Sequence, residues 1–375
     1  MRILLAPDSF KGSLSAVEFC DIAQQLIHQH WPQIEVISRP LADGGEGFID
    51  AIVYSGLAQR LTVDSLDPLG RLIQADFAWQ PASKTAFIEM AQSAGLMRLA
   101  KAEYNPLLTS TYGTGLVIKQ ALTMGAKNIV LGLGGSATND GGAGALQALG
   151  VELLDASQQP IKPGGAGLLQ LHQIGNIPLT LTAVNWVLAC DVTNPLLGPL
   201  GATAVYSAQK GATTEMQVSL EQALSHFAHH IEQLTQTNIS TRPGAGAAGG
   251  MAAGFMGLLN AQTQSGFELL SRALNLEALF NEKIDWVITG EGKLDNQTQH
   301  GKLPLRIARL AKQYNVPSIA ICGQVDYAGT ALAEFKAIYS LVDDHVSEQQ
   351  AMQQTAQILQ QRLYQALNGL IQNAI

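Results

Sequence analysis

The chain has 375 residues, 47% hydrophobic and 14% charged, with a net charge of −8. An ordinary domain is about 25% charged, so this composition excludes intrinsic disorder and leaves enough apolar material for two cores. Lys and Arg form no run, which argues against nucleic acid or an anionic membrane as a partner, and Cys20, Cys190 and Cys322 are too sparse for a disulfide framework.

Ile3-Leu4-Leu5-Ala6 reads as a short buried strand, too short an apolar run for a signal peptide. It opens into Pro7-Asp8-Ser9-Phe10-Lys11-Gly12-Ser13. Ser13 or Ser15 can cap the following helix, with Glu18 completing a capping box after Ser15. Pro32 ends that helix, and Ile34 to Ile37 is the next strand. Such a β-α-β unit implies a right-handed crossover and a parallel sheet, which binds ligands at the carboxyl ends of its strands. Two such ends carry unusual chemistry here: Asp8, Ser9 and Lys11 after the first strand, and Asp43, Gly44, Gly45, Glu46 and Gly47 after the second.

From Leu61 the period changes. Leu61 to Val63 and Phe77 to Trp79 flank Asp67-Pro68-Leu69-Gly70-Arg71, a hairpin turn, and Thr85 to Ala91 is a further strand. Thr109 to Gly115 precedes a helix reaching Met124. Ile129-Val130-Leu131 then runs as a buried strand into Gly132, Gly134, Gly135, Gly141, Gly142 and Gly144, interleaved with Ser136, Thr138, Asn139 and Asp140, before a helix over Ala145 to Leu149. Glycine admits positive φ and lets a ligand approach main-chain N–H groups. A strand, a glycine turn and a helix N-terminus together suit an anion, so this loop is the expected phosphate site.

No G-x-x-x-x-G-K-[ST] occurs, which excludes an ordinary P-loop. Gly132-x-Gly134-x-x-Ala137 loosely fits the dinucleotide fingerprint, with Asp155 where a ribose-binding acid would stand. It supports a second reading, a nicotinamide-dependent oxidoreductase of a small hydroxy acid; a third is a non-catalytic nucleotide-binding module. Gly244-Ala-Gly246-Ala-Ala-Gly249 follows Thr241-Arg242-Pro243 and lacks the strand the fingerprint needs.

Val151 to Leu154 reads as a strand. The uncharged stretch from Gln173 to Cys190 is broken by Pro178 and is no membrane span. Trp186 to Cys190 is a buried strand ending in Asp191, with Asn194-Pro195 beyond. Lys210 stands isolated in Gln209-Lys210-Gly211. Thr214 to Gln236 is helical, with His226, His229 and His230 expected on its exposed face, and Pro243 to Gly250 is close packing or a hinge. The last third returns to β-α-β rhythm: Ile284 to Thr289 leads into Gly290-Glu291-Gly292-Lys293-Leu294-Asp295, followed by a helix, strands at Ser318 and Ala337, and a closing helix. The matching ends and differing middle predict an α/β protein, with residues 1–60 and 280–375 forming one domain and 61–279 an inserted one, the membership of 109–150 open.

Five segments in order carry a resemblance across nearly the whole chain: Ala6 to Gly12, Ala42 to Gly47, Gly134 to Gly142, Cys190 to Leu196 and Gly290 to Asp295. The sequence resembles the bacterial type I glycerate kinase family. The resemblance implies ATP- and Mg²⁺-dependent phosphorylation of D-glycerate, with 2-phosphoglycerate expected over 3-phosphoglycerate. It also implies a Rossmann-like domain and an inserted α/β domain of restriction-endonuclease-like topology. Phosphoryl transfer needs N–H groups and cations around phosphates, carboxylates for Mg²⁺ and a base at the accepting hydroxyl. Gly134, Gly135, Ser136, Thr138, Asn139, Gly141 and Gly142 are the expected phosphate contacts. Asp8, Ser9, Asp43, Gly44, Gly45 and Glu46 are expected at the substrate. Lys11, Lys210 and Lys293 are candidate cations, Asp191 the expected base with Asp295 as its rival, and Asp295 and Glu291 the expected metal ligands. The expectation is a cytoplasmic enzyme, monomeric or homodimeric.

Overall fold

The computed structural model describes residues 1–294, 302–326 and 333–372. They divide into two compact units. One comprises Met1–Asp43, Asp50–Leu57 and Phe267–Ile375; the other comprises Gly44–Ile49 and Ala58–Gly266. Residues 267–279 therefore lie with the chain ends, and 44–49 and 58–60 with the middle.

The first unit holds a five-stranded parallel sheet in the order Ala337–Ser340, Ser318–Cys322, Trp286–Thr289, Arg2–Leu5, Glu35–Ser38. Counted along the unit this is 2-1-3-4-5, a doubly wound order. Its strands are near-continuous apolar runs because helices cover both faces: Ile3, Leu4 and Leu5 are fully buried, and Ser318–Cys322 is buried throughout. The helix Ala16–His30 starts as its sequence dictates. Ser15 Oγ accepts from Glu18 N (3.1 Å), and Glu18 Oε2 accepts from Ser15 N (2.8 Å). Phe19, Ala23 and Ile27 of this helix pack with Leu359, Leu363 and Leu367 of the helix Thr355–Gln372.

The second unit holds a six-stranded mixed sheet in the order Gln262–Gln264, Asn185–Ala189, Asn128–Gly132, Thr85–Glu89, Leu72–Gln80, Gln59–Leu66. The first four run parallel, and the last two join as an antiparallel hairpin. Its turn forms around Asp67, whose Oδ1 accepts from Leu69 N and Arg71 N, both at 2.9 Å. The helix Thr214–Thr235 sends Leu224, Phe227 and Ile231 into the core. The expected strand at Val151 shrinks to Leu153–Leu154, paired with Gln173–Ile174.

The glycines of 243–250 resolve as close packing: a Cβ on Gly246 would lie 2.3 Å from Pro195 O, and one on Gly249 2.0 Å from Thr138 O. The histidines depart from expectation. His229 is exposed, but His226 is half-buried with Nε2 2.6 Å from Leu171 O, and burial with neighbouring histidines lowers His230. All three cysteines are free, and burial pushes the Cys20 and Cys322 thiols up. Among the described residues no helix is long and apolar enough to cross a membrane.

The helices Tyr112–Thr123 and Ala143–Ala148 touch through Gly115, where an added Cβ would stand 2.5 Å from Ala145 O. Gly115→Ala is expected to cost about 1–3 kcal/mol, because two backbones must separate. Gly369→Ala is the control. It lies in the last helix with nothing within 4 Å of its Cβ position, so removing glycine there should add roughly 0.5–1 kcal/mol. Denaturant unfolding of both variants checks the opposite signs.

Candidate active site

In a doubly wound sheet, neighbouring connections diverge where the strand order reverses, leaving a crevice outside the carboxyl ends. In the first unit that point lies between Arg2–Leu5 and Trp286–Thr289. A cavity of about 370 Å³ opens there, lined by Asp8, Ser9, Lys11, Asp43, Glu291, Lys293 and Lys302, with Phe10, Leu303, Met352 and Thr355 among its other walls. The two strand ends are clamped together. Asp8 N donates to Gly290 O (2.8 Å), and Thr289 Oγ1 to Ala6 O (2.7 Å). Phe10 is buried and stacked on Phe19 with centroids 5.8 Å apart, which anchors the loop carrying Ser9 and Lys11. Gly290 permits the close approach of the next strand: a Cβ there would stand 2.1 Å from Ile321 O.

The cavity mixes charges. Lys302 Nζ lies 3.8 Å from Glu291 Oε2 and donates to Lys293 O at 3.2 Å. Asp8 is half-buried and accepts from Ser9 N at 2.7 Å. Burial, then the neighbouring Asp43 and Glu291 carboxylates, raise its carboxyl from 3.8 to about 8, against the opposing pull of the Ser9 N–H and Lys11. A carboxyl so placed can take up a proton near neutral pH.

The glycine loop lies in the second unit at the carboxyl end of Asn128–Gly132. It divides into an outward and an inward half. Gly135 is exposed with φ +72°, Gly134 is half-buried, and Ser136 is only 7% exposed. Thr138, Asn139 and Asp140 are fully buried; Gly141 (φ +63°) packs on Phe227, and Gly142 (φ +78°) on Met251. Asp140 accepts from Thr111 N and Thr111 Oγ1 (both 2.8 Å), Gly142 N (3.1 Å) and Gly144 N (3.3 Å), while burial pushes its carboxyl up. The turn also receives the 44–49 segment: Gly134 N donates to Gly44 O at 3.3 Å, and Ile49 N to Glu89 Oε1 at 2.7 Å.

Residues 3–370 match the Glycerate kinase family. The chain belongs to that family. It is 43% identical to the glycerate kinase of Halalkalibacterium halodurans over 96% of this chain and 95% of that protein. It is also 43% identical to the glycerate 2-kinase of Escherichia coli K12, over 87% and 86% respectively. A crystal structure attributed to glycerate kinase 2 of Salmonella typhimurium LT2 superposes with a TM-score of 0.85 at 39% identity, covering 100% of this chain and 99% of that one. The chain is an enzyme, a kinase.

Against this kinase framework the sequence expectations sort themselves by position. Asp8, Ser9, Lys11, Asp43, Glu291 and Lys293 share the first unit's cavity. Gly44, Gly45 and Glu46 belong to the second unit, the two glycines buried and Glu46 exposed. Asp295 lies outside the described residues. Asp191 is exposed at the end of its strand. Thr138, Asn139, Gly141 and Gly142 are interior, whereas Gly134 is half-buried and Gly135 exposed. The dinucleotide alternative also fails on geometry. The helix begins at Ala143, after Ala137 has already entered the Gly95–Ser136 bridge region, and Asp155 merely caps its own turn at Ser157 N and Gln159 N.

Lys302 was missed by sequence reasoning. It is the N-cap of the helix Leu303–Gln313, where the helix dipole disfavours a cation. A lysine in that place is the signal that could have marked it.

The raised Asp8 carboxyl makes a pH prediction. The native group keeps its proton to about 8 and the unfolded one releases it near 3.8, so its stabilising effect is complete below that lower value and is lost as pH rises through about 8. Asp8→Asn stays neutral and keeps an oxygen for Ser9 N. With chelator and without ligands, the variant is expected to exceed wild type by roughly 1–3 kcal/mol at pH 9, the gap closing toward pH 4. Denaturant unfolding across that range checks it.

Proposed function

We propose that this kinase transfers the γ-phosphoryl group of ATP to the 2-hydroxyl of D-glycerate, giving 2-phosphoglycerate. The observation that carries the substrate assignment is the cavity at the switch point, where Lys11, Lys293 and Lys302 share walls with Asp8, Asp43 and Glu291. Glycerate offers one carboxylate to the cations and two hydroxyls to the acids. The name of the Escherichia coli relative, glycerate 2-kinase, supports the 2-hydroxyl as acceptor.

In this reading Lys11 and Lys302 hold the glycerate carboxylate, and Ser9 orients it. Asp8 replaces Asp191 as the base, because it is half-buried at the strand end while Asp191 is exposed. Its ionised form, whose share grows as pH approaches about 8, accepts the hydroxyl proton as the oxygen attacks. Lys293 supports the phosphoryl charge. Gly134, Gly135 and Ser136 receive nucleotide phosphate through N–H and O–H groups, the role a glycine turn suits.

The donor set fits Mg²⁺. Asp43 and Glu291 supply hard oxygen, and among the described residues no three His, Cys, Asp or Glu side chains are arranged to enclose a metal by themselves. Mg²⁺ takes one or two carboxylates and completes its shell with water and phosphate. When bound it would neutralise charge on the phosphates.

Purified protein with ATP, Mg²⁺ and D-glycerate should release ADP, and enolase should consume the product without added mutase. Product that enolase ignores until mutase is supplied would reassign the acceptor to the 3-hydroxyl, and absence of ADP would refute the reading. Asp8→Asn should lower kcat by about 10²–10⁴-fold with ATP binding retained, the usual contribution of a general base. Asp191→Asn should change kcat far less; the reverse order would return the base to Asp191.

A further inference from the structure

Lys210 lies in the second unit on the turn Ala208–Lys210 and is 2% exposed. Its ammonium donates to Ser136 Oγ (2.8 Å) and to Thr138 O (2.7 Å). Asp140 is the charged group that faces it, itself held by Thr111, Gly142 and Gly144. Burial pushes the ammonium down to about 7, with Asp140 pulling the other way. Burying an ammonium is costly, and an apolar side chain of similar length could fill the space without that cost. What the charge gains here is control of the glycine loop, since both its acceptors belong to it.

A serine hydroxyl has one proton to donate and two lone pairs. With the Lys210 ammonium donating into one lone pair, the Ser136 proton must point elsewhere. Its neighbour Gly135 is the exposed crest of the loop, and among the described residues the Gly135 N–H has no hydrogen-bond partner. We propose that Lys210 is a positioning residue that fixes the Ser136 hydroxyl as a donor to nucleotide phosphate at Gly134–Ser136. The proposal rests on the assignment of that turn to ATP made above. The buried ammonium also adds positive potential behind the turn, where low dielectric strengthens it.

The test is a double-mutant cycle of wild type, Lys210→Met, Ser136→Ala and the double variant, with KM for ATP, KM for D-glycerate and kcat measured for each. Each single change should raise KM for ATP about 10-fold, the loss of one charge-assisted hydrogen bond, and leave KM for glycerate within about twofold. The double variant should also stand near 10-fold and not near 100-fold, because both changes remove one arrangement. Multiplying effects, or an equal rise in both KM values, would overturn the role. If Lys210→Met fails to fold, Lys210→Arg and Ser136→Ala decide. Arginine keeps a donor and should restore KM for ATP, whereas an unchanged KM for ATP in Ser136→Ala overturns the proposal. A wild type that turns over glycerate with uncoupled variants refutes Lys210 alone; a wild type without glycerate kinase activity takes down the functional reading as well.

Discussion

A carboxylate with no access to water needs a donor for every lone pair it presents, and Asp140 meets that demand by drawing three chain segments to one point. Its four donors come from the start of the helix Tyr112–Thr123, from the glycine turn, and from the first turn of Ala143–Ala148. Thr111 Oγ1 then accepts from Ala145 N at 3.0 Å, and Thr109 Oγ1 donates to Ala137 O at 2.8 Å. Leaving a buried charged group without one of its hydrogen-bond donors costs about 1–3 kcal/mol or more. The glycine turn is therefore held in place for an electrostatic reason. Positive φ at Gly135, Gly141 and Gly142 lets the chain wrap around the acid and leaves Gly135 as the exposed crest.

The first unit solves a different problem. Its cavity gathers acids that repel one another, and the fold keeps them together through backbone hydrogen bonds between strand ends as well as through the Lys302–Glu291 pair. Gly323 N donates to Glu291 O and Gln324 N to Gly292 O, each at 3.0 Å. With the backbone fixed, burial and then the neighbouring carboxylates raise the Asp8 carboxyl. The two units thus hold their polar groups by opposite means, one by neutralising a buried charge and one by constraining the chain that carries it.

Much of this was legible in the sequence because apolar runs mark buried strands and the residue after such a run lands at a sheet's carboxyl end. Asp8 and Glu291 were found that way. Asp191 carries the same signature, yet it is exposed, because an apolar run says nothing about what later covers its end. The glycine count located the turn but gave no direction, so residues that bend inward looked equivalent to those that face out. Lys210 meets Ser136 across 74 positions, a separation at which spacing carries no information. Lys302 was hidden because its neighbours read as an ordinary helix start.

The central position of Arg2–Leu5 sets the order in which this protein can assemble. That strand precedes both of its neighbours in the chain, Glu35–Ser38 and Trp286–Thr289. The second is distant in the chain: Arg2 N reaches an acceptor 283 residues away at Asp285. At about 5–20 residues per second, a ribosome needs roughly 15–60 s to make that interval. Through all of it, Ile3, Leu4 and Leu5 present one unpaired edge, the kind of surface that templates aggregation. The residues 58–266 of the other unit are all synthesised within the same wait and can fold on their own schedule. Yield in a cell then depends on how well that first edge is sheltered while translation proceeds, a property that equilibrium stability of the finished protein does not measure.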